Sequence, residues 1–133
     1  MTPWFDVNPK KIVAIVDDDP GMRRALRTVL SAFGYAVYTF DSADSFLSTA
    51  ATSKAGCLVV DVQLGDSSGI ELGRQLAATG FSFPMIFMTS LENELIRKQA
   101  TQLGCVACLQ KPFSSDVVIE AIVRGTERSC WRS

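Results

Sequence analysis

The residues best equipped for chemistry stand at the ends of short apolar runs. Asp17, Asp18 and Asp19 follow Ile12–Val16, and Asp61 follows Cys57–Val60. Thr89 and Ser90 follow Met85–Met88, and Lys111 stands just past Val106–Leu109. If those runs are parallel strands of one sheet, their carboxyl ends are neighbours, and ligands collect at such an edge. Asp17, Asp18 and Asp61 would then share a pocket with two hydroxyls and one ammonium. Two carboxylates ~4 Å apart repel by about 4 kcal/mol at an effective dielectric of 20. A single lysine cannot offset three of them, so either their pKa values rise or a cation is held. An all-oxygen donor set points to a hard divalent ion, Mg²⁺. Taken singly, each acid is a helix cap or a loop solubiliser, and Asp19 before Pro20 reads as one. The convergence, not any single residue, carries the signal.

The elements that must position these groups are legible from apolar patterning. Ile12–Val16, Ala36–Phe40, Cys57–Val60, Met85–Met88 and Val106–Leu109 read as strands, and uninterrupted apolar runs suit a sheet buried on both faces. Between them lie amphipathic segments. Met22, Ala25, Leu26, Val29, Leu30 and Phe33 recur at helical spacing up to Gly34, and Phe46, Leu47 and Ala50 follow a start near Ser42. Ser68-x-x-Glu71 reads as a capping box for a helix burying Leu72 and Leu76. Leu95, Ile96, Ala100 and Leu103 precede Gly104, and a last helix runs from about Ser115 to near Arg128. Alternating strands and helices predict an α/β, doubly wound parallel sheet of five strands with five helices and right-handed crossovers.

Composition narrows the chemistry. A chain of 133 residues, 47% hydrophobic and 20% charged, fits one folded domain. Net charge is −1 with scattered Lys and Arg, so no basic face for nucleic acid is expected. No apolar run approaches the ~20 residues of a membrane span, and Met1–Lys10 lacks a signal-peptide core, which favours a cytoplasmic protein. The count of histidines is 0, which excludes Ser-His-Asp and Cys-His nucleophile pairs, His-ligated zinc and imidazole proton relays. Cys105-x-x-Cys108 has redox or half-zinc spacing without a matching second pair, so Cys57, Cys105, Cys108 and Cys130 read as reduced structural thiols. Neither GxxxxGK nor GxGxxG occurs, which argues against nucleotide or flavin binding.

Across about Lys11 to Arg128 the chain resembles the receiver domain of two-component response regulators, the CheY-like superfamily. The resemblance rests on Ile15-Val16-Asp17-Asp18-Asp19, on Val60-Asp61-Val62-Gln63-Leu64 with Asp66-x-x-Gly69, on Thr89-Ser90 and on Lys111-Pro112-Phe113. The wording around Lys111-Pro112-Phe113 and Ile119-Glu120-Ala121-Ile122 is similar to regulators that end in a helix-turn-helix DNA-binding domain. The resemblance implies the flavodoxin-like strand order 2-1-3-4-5. It implies that Asp61 accepts a phosphoryl group from a phosphohistidine, in a switch and not a turnover enzyme. Asp18, the Asp61 carboxylate and the Gln63 carbonyl would hold Mg²⁺, with Asp17 acting through water. Thr89 and Lys111 would meet phosphoryl oxygens, Ser90 would leave the mouth open, and the bond before Pro112 would be cis. A sensor histidine kinase or phosphotransfer protein would dock on the first helix around Gly21, Met22, Arg24 and Ala25.

The chain departs from the family pattern at several positions. Cys108 stands where an aromatic residue reports phosphorylation in the family, which predicts weak signalling through the face of the fourth helix, fifth strand and fifth helix, or signalling by another linkage. A homodimer could form through that face, but phosphorylation is not expected to tighten it. Gly65 replaces a frequent proline, so a looser loop is expected. Gln63 and Leu91 occupy positions that tune acyl-phosphate hydrolysis, and apolar Leu91 predicts a long phosphoryl lifetime. Residues 1–10 read as an extension, 11–128 as the receiver and 129–133 as a tail, which suits either a stand-alone regulator or a piece of a longer one. Two other functions fit parts of the pattern. A non-phosphorylated pseudo-receiver is supported by Cys108 alone. An aspartate-nucleophile phosphatase would need Asp-x-Asp-x-Thr/Val after the first strand, where Asp17-x-Asp19-Pro20-Gly21 stands.

Overall fold

The computed structural model describes residues 11–91 and 93–132, with side chains as far as residue 127. Residues 1–10, read above as an extension, and the side chain of Cys130 lie outside that description. The order of elements is β1 (Ile12–Val16), α1 (Pro20–Ala32), β2 (Ala36–Phe40), α2 (Ala43–Leu47) and β3 (Cys57–Asp61). There follow α3 (Gly69–Ala78), β4 (Met85–Thr89), α4 (Glu94–Gln102), β5 (Ala107–Gln110) and α5 (Ser115–Arg132). The five strands are all parallel in the order β2-β1-β3-β4-β5, as expected.

Strand alternation sorts the core into two layers. Ala14, Val16, Leu58, Val60 and Phe87 face α2, α3 and α4, where they meet Phe46, Leu72, Leu76 and Ala100. Val13, Ile15, Val59, Ile86 and Met88 face α1 and α5, against Leu26, Leu30, Val118 and Ile122. Phe46 is fully buried, edge-on to Phe40 at 5.3 Å and to Phe83 at 5.7 Å between centroids. Such aromatic pairs add about 0.5–1.5 kcal/mol beyond area burial. This double cover holds β1 and β3 rigid, so their carboxyl ends are fixed relative to each other.

Cys57 and Cys108 carry free thiols in keeping with a packing role. Burial pushes the Cys57 thiol up to about 12, and burial also raises that of Cys108, against the charge of Arg97. No helix among the described residues is long and apolar enough to cross a membrane.

Several local expectations give way to tertiary packing. Ser68 caps α3 by accepting from the Ile70 N–H at 3.1 Å, but Glu71 pairs with Arg74 at 3.4 Å, so the reciprocal half of the capping box is not made. Phe33 and Leu95 share the helical period yet are 53% and 60% exposed, because neither meets a facing strand. Ala50 is buried in a short 3-10 turn, Ala50–Thr52, after α2 has ended at Leu47. Asn93 caps α4 through bonds from Leu95 and Ile96, and α5 runs past Arg128 to Arg132, nothing in that stretch being a helix breaker. A two-rung antiparallel hairpin, Gln63–Leu64 with Ser67–Ser68, turns at Gly65, whose φ of 62° favours glycine.

Candidate functional site

The strand ends meet as the sequence requires. Asp17 directly follows β1 and is fully buried, Asp61 closes β3 at 4% exposure, and Thr89 closes β4 at 4%. Lys111 follows β5, and its bond to Pro112 is cis. Its ammonium lies 2.9 Å from Asp61 Oδ2 and 3.4 Å from Asp17 Oδ2, so β1, β3 and β5 are tied by one side chain. The Lys111 N–H also donates to the Thr89 carbonyl at 2.7 Å, which fixes the chain as it leaves β5.

Asp17, Asp18 and Asp61 each offer a carboxylate oxygen within 4.8 Å of the others, Asp18 being the exposed member. At that spacing two full charges repel by about 3–4 kcal/mol at an effective dielectric of 20. Burial raises the Asp17 pKa, and the charge of Asp61 adds to the rise, while the Asp19 N–H bond to Oδ1 at 2.9 Å and Lys111 oppose it. Burial alone would lower Lys111, but its hydrogen bond to Asp61 and the charges of Asp17 and Asp61 outweigh that and raise it. The pocket therefore carries more negative than positive charge and presents only oxygen donors. A hard divalent cation fits that donor set, whereas a thiophilic metal does not.

The hydroxyls stand nearby but are engaged elsewhere. Thr89 Oγ1 accepts from the Leu91 N–H at 3.0 Å and donates to the Leu91 carbonyl at 3.4 Å. Ser90 Oγ donates to Gln63 Oε1 at 3.4 Å, linking the loops after β3 and β4. The Gln63 N–H donates to Asp61 Oδ1 at 3.0 Å, so both Asp61 oxygens are held. Cys108 sits on β5, two strands from Asp61 and three from Asp17, paired with Phe87 across the sheet and packed on the α4 side of the core.

The profile of the response regulator receiver domain matches residues 13–123. The chain belongs to the response regulator receiver family. This receiver is 37% identical to the transcriptional regulatory protein FixJ of Rhizobium meliloti over 86% of its own length and 56% of that protein. It is 34% identical to nodulation protein W of Bradyrhizobium diazoefficiens, over 92% of this chain and 54% of the relative. The chain thus spans about half the length of the curated relatives it matches. Among solved structures it superposes on FixJ-N with a TM-score of 0.82 at 37% identity, covering 87% of this chain and 93% of that one. The response regulator StyR gives 0.85 at 36% identity, over 91% of this chain and 61% of the other.

Two features of the receiver pocket become visible only in three dimensions. Arg23, absent from every sequence motif, donates from Nη1 to the Asp17 carbonyl at 2.7 Å. Its spacing from Asp17, on the first turn of a helix behind an acidic loop, is the one signal that could have singled it out. Gly69 of Asp66-x-x-Gly69 is needed because a Cβ there would run into the Asp61 carbonyl oxygen and lie 2.7 Å from Val60 Cγ1. Both neighbours belong to β3 and cannot yield. Gly69→Ala is expected to cost about 2 kcal/mol by overpacking, read as a lower urea midpoint with an unchanged m-value.

Proposed function

We propose that this receiver is a phosphoacceptor switch in which Asp61 takes a phosphoryl group from a phosphohistidine on a sensor kinase or phosphotransfer protein. The observation that carries the reading is Lys111 bridging Asp61 and Asp17 beside Asp18, which joins a buried nucleophile, a phosphate-binding cation and a metal-type acidic set at one sheet edge. An Asp61 carboxylate oxygen attacks phosphorus as the P–N bond to the donor imidazole breaks, and the electron pair returns to that ring. Asp18, Asp61 and the Gln63 carbonyl would hold Mg²⁺, with Asp17 acting through water. The ion, when bound, offsets the repulsion between an anionic nucleophile and an anionic phosphoryl group.

The remaining roles belong to side chains already near. Lys111 passes from the carboxylates to a phosphoryl oxygen as a mobile point charge. Thr89 exchanges its bond to the Leu91 carbonyl for one to a second phosphoryl oxygen, and the small Ser90 side chain leaves the entrance open. The donor protein docks beside Lys111 on α1, where Met22, Ala25 and Val29 line a groove with Pro112 and Phe113. The receiver works in the cytoplasm and turns over no separate substrate. With Cys108 in place of an aromatic ring, phosphorylation does not tighten a dimer through α4, β5 and α5.

Intact-mass spectrometry after incubation with acetyl phosphate tests the reading. Addition of one phosphoryl group in Mg²⁺ and none in excess chelator is expected; no addition in Mg²⁺ refutes it. Leu91 is 50% exposed, tied only through its backbone, and unable to orient water. Leu91→Glu should therefore shorten the phosphoryl lifetime severalfold, short of the ~10²-fold of a rigidly held general base. Equal decay of the two proteins would remove Leu91 from the account.

A further inference from the structure

We infer that Arg23 is a positioning residue for the acidic pocket, holding the peptide between Asp17 and Asp18 so that Asp18 faces the cation. The inference rests on the reading of Asp17, Asp18 and Asp61 as a Mg²⁺ site. Arg23 Nη1 reaches the Asp17 carbonyl at 2.7 Å, and among the described residues its guanidinium makes no ion pair. A guanidinium from the helix behind a three-acid pocket that binds a neutral carbonyl is placed for geometry and not for charge balance.

The rest of Asp17 is already spoken for. Its N–H donates to the Phe40 carbonyl at 3.0 Å, its Oδ1 takes the Asp19 N–H at 2.9 Å and its Oδ2 faces Lys111 at 3.4 Å. The carbonyl lies where the strand ladder has ended, and a buried carbonyl without a donor is costly. Arg23 supplies that donor. The short charge-assisted bond also orients a whole peptide plane, since the Asp17 carbonyl and the Asp18 N–H belong to one rigid unit.

Asp18 depends on that plane more than its neighbours do. It is exposed, and among the described residues its side chain makes no hydrogen bond or ion pair, so the backbone alone sets the direction of its Cα–Cβ bond and hence which sites its carboxylate can reach. Mg²⁺ demands near-ideal octahedral geometry, which makes a swing of one ligand expensive. Partners that orient a ligand without touching the metal commonly change its affinity by about 10–100-fold.

Charge and geometry predict opposite signs, and that makes the inference testable. Removing a positive charge near three acids should strengthen cation binding; releasing the Asp17–Asp18 peptide should weaken it. Titration calorimetry of the whole chain with MgCl₂ decides between them. Arg23→Met should raise the Mg²⁺ Kd about tenfold and shrink the Mg²⁺-induced rise in Tm. Arg27→Met removes the same charge from an exposed position one turn further along α1 and should leave the Kd unchanged or lower. Arg23→Lys, able to reach the carbonyl with a single N–H, should recover most of the loss. Should Arg23→Met fail to fold, Arg23→Gln, too short to reach the carbonyl, replaces it with the same expected weakening. A Kd for the Met or Gln variant equal to or tighter than that of the unaltered chain overturns the inference, as does a Lys variant no better than they are. An unaltered chain that takes up no Mg²⁺ fails at the first titration and overturns the underlying metal site instead.

Discussion

An Asp61→Asn chain will gain no phosphoryl group from acetyl phosphate and Mg²⁺, while its fold stays intact. Asp61 stands at 4% exposure with Lys111 at 2.9 Å and the Gln63 N–H at 3.0 Å. The amide oxygen of asparagine can still accept the Gln63 bond, and the isosteric side chain opens no cavity. It has lost the anionic oxygen proposed to attack phosphorus and one of the charges proposed to attract the ion. Because nucleophile, cation and ammonium act as a unit, removal of one should suppress transfer by about a thousandfold or more, below detection by mass. Stability moves little, since the lost Lys111 pair and the relieved repulsion from Asp17 and Asp18 have opposite signs. The result that would sink the assignment is an equal mass gain in the variant, which would place the acceptor on another acid.

That this experiment can be designed at all reflects how much of the pocket is written locally. Runs such as Ile12–Val16 and Met85–Thr89 announce buried strands because no polar residue interrupts them, and a polar residue at the end of each run must then emerge at the sheet edge. Asp17, Asp61, Thr89 and Lys111 are legible for that reason. What patterning cannot carry is the direction of a hydrogen bond. Thr89 reads as a group facing the acids, yet its hydroxyl turns to Leu91, because the backbone of the loop after β4 offers both a donor and an acceptor. Arg23 belongs to no motif, and only the packing of α1 beside β1 brings it to the Asp17 carbonyl. Leu95 fails for a related reason: helical period marks a stripe on a cylinder, whereas burial depends on whether a neighbouring element covers that stripe. Glu71 satisfies a capping motif in sequence but finds Arg74 one turn on. The fold class is thus a property of runs and periods, while the finished pocket is a property of contacts between them.

Lys111→Met carries the largest expected change in stability, and the ion narrows it. Without Mg²⁺ the substitution strips from Asp17 and Asp61 the sole ammonium among the described residues that pairs with them, leaving buried carboxylates without an ion-pair partner. Breaking such pairs costs 3–5 kcal/mol when they are enclosed. The Lys111 side chain is 18% exposed and Asp18 opens the pocket to water, so about 3 kcal/mol is expected, or roughly a 10 °C fall in Tm. The pH dependence follows from the direction of the Lys111 shift. Its folded pKa lies above the ordinary 10.5, so with the carboxylates ionised its contribution is complete below about that value and fades as pH rises through the folded pKa. The gap between the two proteins should accordingly be constant across neutral pH and close in strong alkali, as Lys111 loses its proton, and in acid, as the carboxylates gain theirs. Adding Mg²⁺ should favour the variant. With no ammonium competing for Asp17 and Asp61, the variant should bind the ion more tightly and gain more Tm from it than the unaltered chain does. Phosphoryl uptake should nevertheless fall, because the charge that meets a phosphoryl oxygen is gone. A variant that matches the unaltered chain in Tm both with and without Mg²⁺ would mean that Lys111 is not what offsets the acids, and the electrostatic account of the pocket would fail with it.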